Sequence, residues 1–238
     1  MRNLLLLVCG LTLLGVSYST AQNVIGAWEG ISENSEGQKI RNIVIFGDGY
    51  QTISKYLVET GEFVSTNGGT WHLDGNMMSE RVEFDSANPT RVGSVVTFEI
   101  EQTYSTLKIV GGDIVLNRID NGAPGVLQGA WLITGRKRDG QMNAIDTTRT
   151  RKTMKILSGT RFQWIAFDIG TKEFKGTGGG EYTTKDGIYT ESIEFFSRDD
   201  SRVGAELSFD YHLKDGHWHH NGFSSKGNPI YEVWSVRL

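Results

Sequence analysis

Carboxylates and guanidinium groups recur in this chain at one fixed spacing. Ser79 to Phe98 reads SERVEFDSANPTRVGSVVTF and Thr190 to Phe209 reads TESIEFFSRDDSRVGAELSF, so Glu80, Glu83 and Arg91 match Glu191, Glu194 and Arg202. A neighbouring Glu and Arg can form a surface ion pair, whereas a Glu alone on an apolar surface can anchor a ligand or move a proton. The choice depends on which side of a strand each residue occupies, because side chains alternate along a strand. Folding the second stretch into a hairpin centred near Asp199 puts Tyr189, Glu191, Ile193, Phe195, Val203, Ala205, Leu207 and Phe209 on one face. Glu194 and Arg202 fall on the other. The first stretch divides in the same way: Glu80 lies with Met78, Val82, Phe84, Val96 and Phe98, opposite Glu83 and Arg91. Glu83/Arg91 and Glu194/Arg202 are therefore expected to be structural pairs on the outer face, each worth about 0.2–1 kcal/mol. Glu80 and Glu191 are expected to point inward. An unpaired buried carboxylate is costly, so each must reach an open rim, meet an interior Arg, His or Tyr, touch a ligand, or take up a proton.

Other residue groups carry weaker chemistry. In His217-Trp218-His219-His220, a strand would send His217 and His219 to one side and His220 to the other. Two ligands at most would come from that segment, and no His-Glu-x-x-His spacing supports a metal, so none is expected. Arg136, Lys137, Arg138, Arg149, Arg151 and Lys152 cluster around one loop of the second half, where a basic mouth would recruit an anionic ligand; a solvated surface loop is the alternative. Asn67-Gly68-Gly69 and Gly178-Gly179-Gly180 lack a following Lys-Ser/Thr, so they read as bulges rather than phosphate loops. No Gly-x-Ser-x-Gly, no thiol nucleophile in the mature chain and no nucleotide fingerprint is present. No cofactor is expected. The enzyme question stays open, leaning against catalysis.

The elements that must hold these residues are strands. Asp48-Gly49, Asp74-Gly75, Asp139-Gly140, Asp186-Gly187, Asp215-Gly216 and Asn221-Gly222 punctuate short runs of Val, Ile, Phe, Tyr, Trp and Thr. That pattern predicts hairpins and an all-β chain. The repeat extends beyond the two opening stretches. Gly26-Ala27-Trp28 matches Gly129-Ala130-Trp131, and Glu62-Phe63 before Gly68-Gly69 matches Glu173-Phe174 before Gly179-Gly180. Residues 22–120 and 127–238 are thus expected to form two domains, with 121–126 as a linker; one larger sandwich of two half-units is the alternative. Between Gln22 and Asp120 there are seven Lys/Arg and fourteen Asp/Glu, and after Asp120 sixteen against fourteen. No strong basic footprint exists for nucleic acid. Residues 1–21 read as a secretory signal peptide, with a basic start, an apolar stretch from Leu4 to Val16 and a cleavage site near Ala21. The one cysteine, Cys9, lies inside it. The expected product is secreted or periplasmic, without disulfides or a stable membrane insertion.

Gly26-Ala27-Trp28 and Gly129-Ala130-Trp131, each opening the first strand of a β-rich unit, resemble the Gly-x-Trp pattern of lipocalin-like (calycin) domains. With the signal peptide and the tandem layout, the chain is similar to secreted lipocalin-like proteins of unknown function common in Bacteroidota. The resemblance implies two tandem antiparallel up-and-down β-barrels, each able to enclose a ligand. It also implies structural roles for Trp28 and Trp131, each closing a barrel base against an Arg of the last strand. Arg118 and Arg237 are the residues available, two positions after Leu116 and three after Trp234, so their registers differ. The expected function is non-enzymatic binding of a small apolar or amphipathic molecule, anions among the candidates. The second barrel is the better candidate for an anion, through Glu191, Tyr189, Trp164, Arg149 and Arg151, with Glu80 the corresponding residue of the first. A structural or interaction protein with solid barrels is the rival, and a hydrolase or isomerase the third reading. Ligand identity and oligomeric state are beyond the sequence.

Overall fold

A computed structural model of the chain describes residues 24–224 and 226–237; the signal-peptide reading of residues 1–21 lies outside them. The first copy consists of β1 (Gly26–Glu33), β2 (Lys39–Phe46), β3 (Tyr50–Leu57), β4 (Phe63–Asp74), β5 (Met77–Asp85), β6 (Val95–Gln102), β7 (Thr106–Ile109) and β8 (Val115–Asp120). Consecutive strands pair antiparallel and β1 pairs with β8, which closes an eight-stranded barrel. The second copy has β9 (Gly129–Arg138), β10 (Gln141–Ala144), β11 (Arg151–Leu157), β12 (Arg161–Asp168), β13 (Glu173–Lys185), β14 (Ile188–Phe196), β15 (Glu206–Lys214), β16 (His217–Phe223) and β17 (Pro229–Val236). Here β9 and β17 close the barrel, and β10 is a short addition to the far end of β9. The protein is all-β, two closed antiparallel barrels in tandem. At Asp139-Gly140, Asp186-Gly187 and Asp215-Gly216 both residues have positive φ, the conformation that tight two-residue hairpin turns require.

The glycine runs are bulges, and they reset the side-chain alternation. Gly68 pairs with Phe84 and Gly69 with Val82, so Glu83 is an extra residue on β5; Gly179 pairs with Phe195 and Gly180 with Ile193, leaving Glu194 extra on β14. A Cβ on Gly69 would run into the Arg81 carbonyl oxygen, and one on Gly180 into that of Ser192. Only glycine permits the approach. The inward pairs Glu80–Val96 and Glu191–Leu207 stand as the alternation predicts. Beyond the bulge it fails. Phe84 and Phe195 leave the barrel interiors and join a third core between the barrels.

That inter-barrel core is two-fold in character. Residues 111 apart meet across it: Phe63 stacks on Phe174 with centroids 5.8 Å apart, and the Thr52 hydroxyl donates to Gln163 Oε1 at 2.8 Å. Gln163 Nε2 in turn donates to Thr66 and to Thr177, which are also 111 apart, at 2.9 Å each. Tyr56 packs on Phe195 at 4.8 Å, and their counterparts Phe167 and Phe84 pack at 4.9 Å. Such pairing of a patch with its own copy is the geometry of an isologous dimer interface, built here within one chain. The linker end is tied down as well. Asp120 accepts hydrogen bonds from Ser158, Gly159 and Thr160 in the β11–β12 turn. Burial would raise its pKa, but these donors and the Gly122 amide hold it below the ordinary value.

The expected Glu–Arg pairs are corrected by this interface. Glu83 and Glu194 do sit outside their barrels, yet the outer face there is buried rather than solvated. Glu83 accepts two hydrogen bonds from Arg237 of the other barrel, both at 2.7 Å. Glu194 pairs with Arg161 at 2.7 Å and accepts the Tyr56 hydroxyl of the other barrel at 2.5 Å. Arg91 pairs instead with Asp85 at 2.7 Å and Arg202 with Asp199 at 2.9 Å, because a short helical turn before each Arg (Pro89–Arg91 and Asp200–Arg202) breaks the hairpin. The Trp–Arg contact exists once. The Arg118 guanidinium lies 3.9 Å from the Trp28 ring centroid, while Arg237 has been drawn to Glu83 and Tyr50. Trp28 and Trp131 are both buried and donate to the carbonyls of Val24 and Leu127. A double-mutant cycle on Glu83 and Arg237, read by urea unfolding, should return a coupling of about 1–3 kcal/mol, and one on Glu83 and Arg91 should return none within error.

Candidate functional site

The two barrel interiors began from the same plan and have diverged in volume. Equivalent inward positions hold Gln51 and Phe162 on β3 and β12, and Met78 and Tyr189 on β5 and β14. The last hairpin pairs Leu107 with Leu116 in the first barrel and Trp218 with Trp234 in the second. Four aromatic rings thus fill the second interior where the first has three aliphatic side chains and an amide. Close packing needs that volume. The second barrel's interior is packed with Trp131, Phe162, Tyr182, Tyr189, Phe209, Trp218 and Trp234. The first retains a cavity of about 450 Å³. Its wall is mostly aliphatic and aromatic, including Val44, Ile53, Met78, Phe98, Leu107 and Leu116, with Asn42, Gln51, Lys55, Asn67 and Glu80 as polar groups; Arg91 and the 112–114 loop complete it.

The repeated inner carboxylate has a different fate in each barrel. Glu191 is buried, and Lys155 Nζ sits 2.6 Å from its Oε1, with both side chains 6% exposed. The Tyr189 hydroxyl donates to the same oxygen at 2.9 Å. Around the ammonium stand the rings of Tyr189, Trp218, Trp234 and Phe209, with centroids 4.9, 5.0, 5.3 and 5.9 Å away. An aromatic cage of this kind compensates a desolvated cation. Trp28 pairs in register with Val44, and Trp131 with Lys155, so Val44 occupies the lysine's place in the first barrel. Glu80 therefore lacks that cation. Burial raises its pKa to about 7, against a smaller lowering by Arg91. Near neutrality this carboxyl can either give or accept a proton. Asn42 adds a second open acceptor: its amide nitrogen donates to Gly30, Ser32 and Ile40, while its buried Oδ1 has no hydrogen-bond partner.

The remaining candidates are placed as follows. Tyr189 and Glu191 are inside the second barrel, where Glu191 Oε1 is bonded to both Lys155 and Tyr189 and aromatic rings crowd the surrounding space. Trp164, equivalent to Ile53, packs on Phe196 with the rings tilted and their centroids 5.4 Å apart, and lines a cleft of about 300 Å³ with Arg202 and Lys226. Arg149 and Arg151 line a basic surface cleft of about 480 Å³ where the β9–β10 hairpin leaves the barrel; Arg149 is largely exposed and pairs with Asp146 at 3.5 Å. Neither residue joins Glu191. His217 and His219 point outward, bonded to Ser235 and Tyr231, while His220 points inward onto Phe209. Among the described residues no group of three or more His, Cys, Asp or Glu is placed to hold a metal. Sequence reasoning missed Lys155, Asn42 and Lys55. Lys155 had a signal: a lone Lys between apolar residues in MKIL, matching Val44 in NIVIF.

No family model matches this chain, and no curated protein matches it either.

Two consequences can be measured. Because the Glu80 pKa is raised in the folded state, its contribution favours folding below the ordinary carboxyl value of 4.5 and is lost as pH rises toward about 7. Glu80→Gln should flatten the fall of stability across that window, by on the order of 1–2 kcal/mol after allowance for partial solvent access. In the second barrel, Lys155→Met strands the Glu191 charge and should cost about 3–5 kcal/mol in denaturant unfolding; adding Glu191→Gln should recover part of that loss.

Proposed function

We propose that the chain is an exported, non-enzymatic binding protein whose first barrel holds a small apolar or amphipathic molecule. The second barrel serves as its structural partner. One observation carries this reading: the cavity of about 450 Å³ that opens to solvent from the interior of the first barrel, apolar over most of its wall with a few converging polar groups. Natural small-molecule sites have volumes of roughly 300–1,000 Å³ and the same mixed lining. An unfilled space of that size forfeits packing contacts, so retaining it in one copy while filling it in the other points to use. The resemblance to secreted lipocalin-like proteins agrees with an internal ligand. The rival reading, a solid structural barrel, describes the second copy alone. Catalysis gains little support: the cavity wall around Glu80 carries no Ser, Thr, Cys or His.

A neutral fluorescent probe such as N-phenylnaphthylamine should bind the purified chain at one site. Leu107→Trp combined with Leu116→Trp copies the second barrel's filling into the first and should abolish that binding while leaving the far-ultraviolet circular dichroism unchanged. Equal probe binding by a folded double variant would count against the cavity as the site.

A further inference from the structure

The second barrel contains, covalently attached, a picture of what the first barrel lacks. Lys155 presents a butylammonium group to Glu191 within a ring of aromatic side chains. In the first barrel the carboxylate is kept as Glu80, one aromatic wall is kept as Phe98 in the place of Phe209, and the lysine is replaced by Val44. The cavity is bounded by both Val44 and Glu80. We infer that this cavity takes a small molecule bearing a protonated amine on an apolar body, its ammonium docking on Glu80 as the Lys155 ammonium docks on Glu191.

Three further features fit an amine. Asn42 Oδ1, buried and without a partner, offers a second acceptor in the same wall, whereas the donor end of that amide is already used within the barrel. An alkylammonium has several N–H donors, more than one carboxylate oxygen can use. The charges also balance. Lys55 and Arg91 are the cations of the cavity; Asp113 faces it, Asp85 is bonded to Arg91, and Glu80 is the third anion. One added monovalent cation neutralises the set. Lys55 is the group that would draw an acid instead. It pairs in register with Asn42, one inward-facing position away from Val44, and makes no ion pair among the described residues. The remainder of the wall, including Ile53, Met78 and Leu116, is suited to a hydrocarbon or aryl body.

This inference rests on the first-barrel cavity being a binding site, and the test separates the two claims. Octylamine, octanol and octanoate share one chain and differ in head group. Titrated calorimetrically into the full mature chain above the Glu80 midpoint of about 7, octylamine should bind about tenfold more tightly than octanol, and octanoate least. Glu80→Gln should bring octylamine down to the affinity of octanol and leave octanol unchanged. Octanol or octanoate binding as tightly as octylamine, or octylamine binding unaffected by Glu80→Gln, would overturn the amine while leaving the binding site intact. If none of the three binds, the cavity reading and the amine fall together.

Discussion

One extra residue opposite a pair of glycines sets most of this architecture. Glu83 and Glu194 are inserted where Gly69 and Gly180 allow the backbones to close up, and the side-chain alternation reverses at that point. Before the bulge, the hairpin sends Glu80 or Glu191 into a barrel. After it, the same strand sends Phe84 or Phe195 outward. One element therefore serves two cores, its own barrel and the shared interface. The polar residue at the switch is freed for a third task, ion pairing at the barrel–barrel contact.

The interface follows from the repeat. Two copies of one strand pattern present equivalent outer faces, and here those faces pack on each other about an approximate two-fold axis. Phe63 on Phe174 and Thr52 on Gln163 are meetings of equivalent positions. Sequence drift has broken the symmetry where charge is involved. Glu83 reaches across to Arg237, whereas Glu194 is held by Arg161 of its own barrel and by Tyr56 of the other. The pairing removes both outer faces from water and leaves the interiors free to diverge.

Divergence inside was permitted by the closed sheet. A barrel of eight strands encloses a fixed volume that side chains must either fill or leave open. The second copy filled its volume with Tyr189, Trp218 and Trp234 and met its carboxylate with Lys155. The first kept smaller side chains and an unmatched carboxylate. A buried charge demands compensation, and the two barrels answer that demand in different ways.

The sequence by itself determined the strands, the turns, the two-copy organisation, the glycine bulges and the inward direction of Glu80 and Glu191. Each is written in local pattern: alternation, Asp-Gly turns and a repeat of constant spacing. Only the tertiary structure decided the partners. Glu83 with Arg237 and Glu191 with Lys155 join residues 154 and 36 positions apart, and neither distance appears in a hairpin reading. The extra residue at Glu83 and Glu194 reversed the alternation for Phe84 and Phe195, and a residue count cannot tell which position a bulge absorbs. The cavity's location in the first barrel rather than the second was set by summed side-chain volumes from seven strands closing on one space, a sum that exists only once the sheet has closed.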